Sequence, residues 1–327
     1  MRYYDIAITE QDGTLTKLGG NDAHFTSFQN GALGGVTIPG ALNIEMDIPI
    51  HSAEVPAGDA YVKIWGVDLN TINNALNLNK KNITIMAGMK RGLPLANLQV
   101  DASPIRNGII FNGSVLQAFG NWQGGEQTLD LIIMSRLTVA PKTFVCKKGD
   151  LLSNSISKAF SDMVIRADVQ IDSRLVAAEE PIIFIIDSIE NMAEQLYQTS
   201  KNIIKDKNYF GIRIIKTDSG YFVTDNTKPP PATIQLDFTD FIGQPTWLTF
   251  NTLQIKCVLR SDIRVGNTIT MPESNFTQGK FFNPKDGIAM TGNAYVDKVR
   301  HIANLRQPDA NSWVTVMDVI PELTRTQ

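Results

Sequence analysis

The stretch WLTFNTLQIKCVLRSDIRVGNTITMP, from Trp247 to Pro272, decides the fold class of this chain. Apolar and polar residues alternate from Leu253 to Arg260, which is the period-two pattern of a strand with one buried face. A turn and Gly266-Asn267 separate this strand from a second apolar run that stops at the proline. The stretch has no nucleophile motif, metal cluster or phosphate-binding loop. It therefore predicts a β platform.

Composition indicates an ordinary folded protein of 327 residues, long enough for two or three domains. Its net charge of −3 implies no general attraction to nucleic acid or anionic lipid. Cys146 and Cys257 lie far apart, so we expect two reduced, buried cysteines and no disulfide framework. The N-terminus shows no secretory signal, and the longest apolar run, Ile182 to Ile186, is too short to span a bilayer. We expect a soluble protein with no stable membrane association.

The chain divides into an N-terminal section (1–142), a middle section (143–231) and a C-terminal section (232–327). The N-terminal section is rich in strand patterns, for example the alternating run from Ile44 to Ile50. Asp68 is expected to cap a short helix with Leu69, Ile72 and Leu76 on one face. Residues 12–40 are rich in Gly, Asn and Thr and predict long loops.

The middle section changes to helical periodicity. Asp150 or Ser153 is expected to cap one helix, and Asp187 or Ser188 a second one. The apolar residues at helical spacing are Leu152, Ile156, Ala159, Phe160 and Met163 in the first helix, and Ile189, Met192, Ala193, Leu196, Tyr197 and Ile203/Ile204 in the second. A hairpin is predicted from Phe210 to Val223, with its turn at residues 217–220. Residues 229–231 are three prolines, which predict a stiff, extended linker.

The C-terminal section is again rich in strand patterns. Its segment with Tyr295, Val299 and Ile302 has helical spacing, so periodicity alone leaves helix and strand open.

Several motifs together resemble phage tail baseplate hub proteins. Leu253 to Pro272, with Val265-Gly266 at its turn, is similar to the strand pair of the C-terminal tube domain of that family, and Tyr295 to Ile320 resembles the segment that follows. The other matching positions are His301, Trp313-Val314-Thr315, Pro39 to Ile48, Tyr61 to Val67, Ile83 to Gly88 and Ile109 to Val115. The resemblance covers most of the chain in order, and it implies a strand at 295–302.

The resemblance implies an α+β, β-rich fold, with two small β-barrel-like tube domains flanking the mixed middle section. Family members close as homotrimers into pseudo-sixfold rings, which fit a hexameric tail tube to a trimeric spike. The implied partners are a second and third copy, the tail tube protein, the central spike protein, other baseplate proteins and, transiently, phage DNA in the lumen. The implied location is the virion baseplate, assembled in the host cytoplasm. Because the genome must pass, inward-facing Lys and Arg are expected to be few or offset.

Charge is unevenly distributed along the chain. Residues 80–150 carry nine basic and four acidic side chains, whereas residues 160–200 carry eight acidic and two basic ones. One interpretation is two solvated faces. The other is that the two sections, with Lys147 and Lys148 among the basic residues, guide docking between subunits or on the spike.

Two short motifs resemble those of enzymes. Glu10-Gln11-Asp12-Gly13-Thr14 differs by one residue from the nucleophile motif of haloacid dehalogenase-like phosphatases, but Glu10 replaces the nucleophilic Asp, and a parallel α/β context is missing. Ser155 to Lys158 fits the Ser-x-x-Lys pattern of penicillin-binding enzymes without its partner motifs. We interpret the first as an Asp-Gly turn and the second as a polar helix face.

Other side chains that could carry chemistry are scattered. His24, His51 and His301 lack metal-ligand spacing, although a metal site built from separate loops stays open. Glu179-Glu180 and Asp237 with Asp240 are paired acids without an evident aromatic-lined cleft. The four tryptophans are expected to be core or interface anchors, namely Trp65, Trp122, Trp247 and Trp313.

The sequence therefore predicts no catalytic, cofactor-binding or metal-binding residues and no enzyme. It predicts a structural hub acting in tail assembly and genome ejection. The alternative is a virion-associated cell-wall hydrolase or carbohydrate-binding module, for which the chain has no section to spare. A third reading is the spike base of a contractile secretion system, against which the absence of a fused spike after Ile320 argues.

Overall fold

The computed structural model describes residues 2–29, 36–50, 59–89, 108–135, 138–177, 180–206, 209–217, 220–225, 227, 233–249, 252–272 and 292–321. His51, Glu179, the turn residues 218 and 219 and the prolines 229–231 lie outside these ranges. The helices are α1 (Leu69–Asn73), α2 (Leu152–Asp162) and α3 (Ile189–Ile203), with short 3-10 turns at Ala75–Leu78 and Phe238–Asp240. None of the described helices is long and apolar enough to cross a bilayer.

The strands are numbered in chain order. They are β1 (Arg2–Thr9), β2 (Lys17–Leu18), β3 (Asn21–Asp22), β4 (His24–Thr26), β5 (Phe28–Gln29), β6 (Val36–Thr37), β7 (Asn43–Ile50), β8 (Asp59–Trp65), β9 (Asn82–Met89), β10 (Gly108–Gln123), β11 (Glu126–Met134), β12 (Thr138–Cys146), β13 (Ala167–Gln170), β14 (Ile182–Ser188), β15 (Arg213–Thr217), β16 (Gly220–Thr224), β17 (Thr233–Gln235), β18 (Thr246–Trp247), β19 (Leu253–Val258), β20 (Thr268–Met271), β21 (Gly292–Asn304) and β22 (Trp313–Pro321).

Thirteen strands from the two outer sections form one sheet. Its main path is β18-β19-β22-β21-β7-β8-β11-β10-β9-β1-β4, and β20 with β17 branches from β21. The long strand β21 is the junction. Residues 292–295 pair with β20, whereas residues 299–304 pair with β7, so one strand holds the two sections together.

The alternation of apolar residues places the core on one side of this sheet. In β7, Ile44, Met46 and Ile48 are buried, and the residues between them point to the other side. The core of the N-terminal section also takes in Leu259, Ala303 and Trp313 from the C-terminal section. The two sections therefore share buried apolar surface as well as backbone hydrogen bonds.

The structure confirms the β-rich α+β class and the strand at 295–302. In the described residues the sheet is open, and no closed barrel is found among these strands. Cys146 and Cys257 are both buried and unbridged.

The middle section packs two helices against short sheets, β12-β14 and β13-β16-β15. The hairpin predicted between residues 210 and 223 forms as β15 and β16. Ser188 caps α3 by accepting a hydrogen bond from the N–H of Asn191 at 3.2 Å, as its position predicted. The boundary expected at residues 142 and 143 falls inside β12, which pairs with β14 from Thr138 to Cys146.

Two expectations about the helices were wrong. The residue at the N-cap of α2 is Leu151, and neither Asp150 nor Ser153 caps it. Asp68 does cap α1, but Leu69 and Leu76 are 44% and 69% exposed. The helix ends after one turn and continues as a 3-10 turn, whose three-residue period buries Ala75 and Leu78 instead.

The region 12–40, expected to be long loops, contains the short strands β2 to β6. Strand β4 forms because β1, a partner outside this region, supplies its backbone hydrogen bonds. Local composition does not reveal such a partner.

A buried polar cluster connects β19, β21 and β22. The guanidinium of Arg260 is 3% exposed and lies 2.7 Å from Asp240 and 2.6 Å from Asp262. The backbone N–H of Arg260 donates to the Thr315 hydroxyl at 3.0 Å, and a ring nitrogen of His301 lies 3.0 Å from the same hydroxyl. Burial, together with the positive charge of Arg264, lowers the pKa of His301 to about 4.

Helix α2 ends at Asp162, and the second residue after it, Val164, has a strained backbone conformation. Val164 has a φ of 58°, which is left-handed backbone that suits glycine, and its side chain is 94% exposed. The Ile165 N–H donates to the Phe160 carbonyl and the Val164 N–H to the Ser161 carbonyl, both at 2.9 Å. These are the two bonds of a Schellman motif, in which this position is usually glycine.

We expect Val164→Gly to stabilise the protein by about 1 kcal/mol, because the left-handed conformation costs a β-branched residue that order of energy. Little packing is lost, since the side chain is 94% exposed. Urea denaturation measures the change. The matched control is Lys158→Gly on the exposed side of the same helix, expected to cost about 1 kcal/mol. An equal loss of stability in both variants would contradict the assignment of strain.

We expect stability to fall as the pH drops from about 6.5 toward about 4, in part because of His301. In this window the unfolded chain binds a proton at this residue and the folded protein does not. Above the window the contribution is fully present. His301→Gln should reduce the slope of unfolding free energy against pH, measured by urea denaturation between pH 4.5 and 7.5.

His24→Gln is the control of opposite sign. The hydrogen bond to Asp5 raises the pKa of His24, so the wild-type residue stabilises the folded state at low pH and loses that effect as the pH rises through its folded pKa. Replacing His24 should therefore make the free energy of unfolding fall more steeply as the pH drops from 7.5 to 4.5. A slope unchanged in His301→Gln would refute the interpretation.

Candidate functional site

The side of the large sheet that faces away from the core carries charged and apolar residues and is continuous across both sections. We define the outward face as the outward positions of β7, β8, β11, β19, β21 and β22. It is continuous because β7 pairs with both β8 and β21 in antiparallel register. Arg300, for example, stands between Pro49 on one side and Val316 on the other.

Two of the cations on the outward face lie beside carboxylates. The Arg300 Nε donates to Asp47 at 2.7 Å across the junction between the two sections. Lys63 stands between Glu45 and Asp130 on neighbouring strands, and its Nζ lies 3.6 Å from an Asp130 oxygen. Such cross-strand pairs of opposite charge stabilise a sheet modestly and neutralise each other's field.

Asp130 is the most enclosed of these charges. Burial alone would raise its pKa, but hydrogen bonds from Tyr61, Asn121 and Thr128, together with the charge of Lys63, hold the pKa of Asp130 below its ordinary value. The carboxylate therefore stays ionised. It acts as a fixed negative charge on β11, the strand at one end of the outward face.

A groove of about 380 Å³ lies on the same face, over β7, β19, β21 and β22. Its lining includes Pro49, Lys256, Lys298, Arg300, Val316 and Asp318. Lys256 donates to the Asn311 side chain at 2.9 Å, and the Gln254 amide donates to Asp318 at 3.1 Å. The groove is shallow, mixed in charge and built on strands.

The outward face carries a small net negative charge. Its outward positions hold four basic residues, Lys63, Lys256, Lys298 and Arg300, and six acidic ones, Glu45, Asp47, Asp59, Glu126, Asp130 and Asp318. Polyanions are held by unpaired cations, and two of the four cations here have a carboxylate partner. The face can therefore lie next to a polyanion without binding it tightly.

The phosphatase-like motif near the N-terminus is a tight turn. Asp12 accepts hydrogen bonds from the N–H and hydroxyl of Thr14 at 2.9 and 2.7 Å, and Glu10 forms an ion pair with Lys81. Strand β1 lies antiparallel between β4 and β9, whereas that enzyme class needs a parallel sheet.

The Ser-x-x-Lys motif lies on α2. The residues that face the core from this helix are Leu152, Ile156, Ala159 and Phe160, so Ser155 and Lys158 lie off its buried side. The Ser157 hydroxyl donates to the Ser153 carbonyl at 2.9 Å, an ordinary bond within a helix.

The described histidines and paired acids do not converge on one site. His24 is at the surface against Asp5, whereas His301 is buried against Thr315. Asp240 is buried and paired with Arg260, and its carboxylate also accepts from the Asp237 N–H at 3.2 Å. Glu180 is exposed. Within the described ranges, no group of three His, Cys, Asp or Glu residues is placed to hold a metal ion.

The tryptophans have different roles. Trp313 is 2% exposed, and its Nε1 donates to the Gly88 carbonyl at 2.9 Å, which anchors the C-terminal section in the N-terminal core. Trp247 packs against the C-terminal core, and Trp65 lies under the Lys63 ammonium. Trp122 is 62% exposed at the tip of the β10-β11 hairpin, where an interface anchor is expected.

The charged residues of the basic and acidic sections do not face each other across β12 and β14. Lys147 and Lys148 are exposed just beyond the end where Cys146 pairs with Ile182, whereas Asp187 is exposed at the opposite end of this strand pair. Sequence reasoning did not find the outward face. Each strand shows its polar side in the alternation, but the pairing of β7 with β21, which joins these sides, leaves no local signal.

Comparisons with known proteins agree with this architecture. No family model and no curated protein matches the sequence. Among solved structures, a tail protein from Neisseria meningitidis MC58 superposes with a TM-score of 0.51 at 12% identity, covering 98% of this chain and 97% of that one. The 43 kDa tail protein of prophage MuSo2 from Shewanella oneidensis gives 0.50 at 8% identity, with 98% and 97% covered.

A chain of the PdpA-VgrG complex of Francisella gives a TM-score of 0.47 at 9% identity, covering 98% of this chain and 58% of that one. The two better matches span nearly the whole of both chains, so the likeness includes the outer sections and the middle section together. The fold resembles that of phage tail proteins, as the sequence motifs predicted.

Proposed function

We propose that this chain is a structural, non-enzymatic subunit of a phage tail baseplate hub. Three copies would close into a pseudo-sixfold ring between the hexameric tail tube and the trimeric spike, within the virion. The observation that carries the proposal is the joining of two strand-rich sections into one sheet through β21. The likeness to phage tail proteins along the whole chain supports it.

The domain division fits this role. The sections 1–142 and 232–327 would each supply one tube domain, and the middle section, with its helices, would lie outside the ring. A cyclic trimer of a chain with two similar units presents six similar units, which matches a sixfold partner on one side and a threefold partner on the other. Among the described strands, β4 and β18 at the ends of the sheet have no neighbour on one side, and adjacent copies would cover them.

The outward face is suited to line the DNA passage. A wall that carried unpaired lysines and arginines would bind phosphates and slow the genome. Here Arg300 and Lys63 have carboxylate neighbours, and acidic residues outnumber basic ones on the face. The contact with DNA would be transient.

The proposal predicts a mass of three chains in solution, that is, three times 36.1 kDa, for the purified protein alone or with its spike partner. Native mass spectrometry and light scattering after size exclusion measure it. A hub assembles through repeated identical contacts, so the trimer should form at micromolar concentration or on addition of the spike. A monomer under both conditions would contradict the ring.

The proposal also predicts that reversing charge on the outward face creates DNA binding. In Asp47→Lys with Asp318→Lys, six basic residues would stand against four acidic ones, and Arg300 would lose its partner. Fluorescence anisotropy with labelled double-stranded DNA at low salt should show binding that weakens steeply with salt. Phage carrying this variant should eject their genome more slowly.

The matched control carries the same two changes of charge on the middle section, Asp162→Lys with Asp187→Lys, where both residues are exposed. Its total charge equals that of the face variant. Equal DNA binding by both variants would show that net charge matters and position does not, which would remove the argument that this face lines the passage.

A further inference from the structure

Strand β15 of the middle section touches both outer sections. On one side, Arg213 forms an ion pair with Asp297 of β21 at 2.9 Å. Three residues later, the Lys216 ammonium reaches the end of the N-terminal sheet. It donates to the Asn112 carbonyl at 2.6 Å and to the hydroxyl and carbonyl of Ser135 at 3.2 and 3.3 Å. One short strand thus makes contacts of different chemistry with its two neighbours.

The contact with the C-terminal section is charged, aromatic and apolar at once. Arg213 is 5% exposed, and its guanidinium lies 5.4 Å from the centre of the Tyr295 ring. Ile215 belongs to the C-terminal core, and Phe222 packs against it. A Cβ at Gly266 would lie 2.2 Å from the Ile215 side chain, so this side chain packs directly on the Gly266 backbone. This interface is packed like a protein interior.

The contact with the N-terminal section is different. In the ranges that the structure describes, no residue of the middle section belongs to the N-terminal core. The Lys216 side chain is partly buried, and its three oxygen partners are neutral. Burial lowers the pKa of Lys216 to about 8. Moving an ammonium ion out of water without a carboxylate partner costs free energy, and hydrogen bonds to three neutral oxygens offset only part of this cost.

The difference between these two contacts determines which one opens first. We propose that the middle section moves as one body with the C-terminal section, and that Lys216 is a releasable fastening to the N-terminal section. When Lys216 leaves Asn112 and Ser135, the middle section swings away from β10 and β11, while Arg213 and Ile215 stay packed on the C-terminal core. The large sheet keeps its β7-β21 pairing throughout. This inference does not depend on the proposed hub function.

Distances between spin labels test the inference on the full chain. Cysteines replace the exposed residues Gln11 in the N-terminal section, Lys158 in the middle section and Gln244 in the C-terminal section, two at a time. The native Cys146 and Cys257 are buried and should not react. Dilution with unlabelled protein restricts the measured distances to those within one copy.

Lys216→Met keeps the apolar stem of the side chain and removes its charge and its donors. We expect the 11–158 distance distribution to broaden and move to longer distances in this variant, while the 158–244 distribution stays as in the wild type. The matched control, Lys205→Met, removes an exposed lysine of the same section and should change neither distribution.

Two results would overturn the proposal. One is an 11–158 distribution in Lys216→Met that equals the wild type, and the other is a 158–244 distribution that broadens as much as the 11–158 one. If Lys216→Met does not fold, Ser135→Ala serves in its place. This variant removes the hydroxyl acceptor at the same contact, and it should produce a smaller shift of the 11–158 distance and no shift of the 158–244 distance. An unchanged 11–158 distance in Ser135→Ala would also contradict the proposal.

Discussion

The antiparallel pairing of β7 with β21 is the constraint on which the rest of this structure depends. It runs from Ile50 opposite Val299 to Glu45 opposite Asn304 and joins segments near the two ends of the chain. Because side chains alternate along a strand, this one register places Met46, Ile48 and Ala303 in the core and Asp47 beside Arg300 outside it. A shift of one residue would exchange the two sides along the whole junction.

Packing on the buried side follows from that register. Trp313 reaches the N-terminal core, and Arg2 donates to the Asn304 carbonyl and the Ser312 hydroxyl, both at 2.7 Å. The two outer sections cannot separate without exposing an aromatic ring and breaking a row of backbone bonds. The middle section lacks this double attachment. It shares a core with the C-terminal section, whereas, apart from the chain connection through β12, the N-terminal sheet holds it through an ammonium group and neutral oxygens. The molecule thus combines one large sheet with a middle section whose contacts with the two outer sections differ.

Several polar residues that could carry chemistry hold the fold instead. The carboxylates of Asp12 and Asp240 serve a turn and a buried ion pair, and the His301 imidazole is kept neutral by burial. Each of these groups is already engaged in holding the fold. The outward face spreads its charges over several strands, with Lys63 and Arg300 each beside a carboxylate, rather than gathering them in one site. Such a surface suits the passage of a polyanion, as the proposed hub requires.

The sequence by itself determined the elements whose pattern is local and strong. The spacing of Ile189, Met192 and Leu196 after Ser188 specifies α3, and the alternation around Ile255 specifies a half-buried strand. Tertiary structure decided the conformation of the segment that contains Val299. Its apolar residues have helical spacing, but it forms β21 because three neighbouring strands supply hydrogen-bond partners for its backbone. Tertiary structure also decided which side of α1 is buried, and it created the outward face. A local pattern states a period and a buried side, but the partner strand and its register depend on residues far away in the chain.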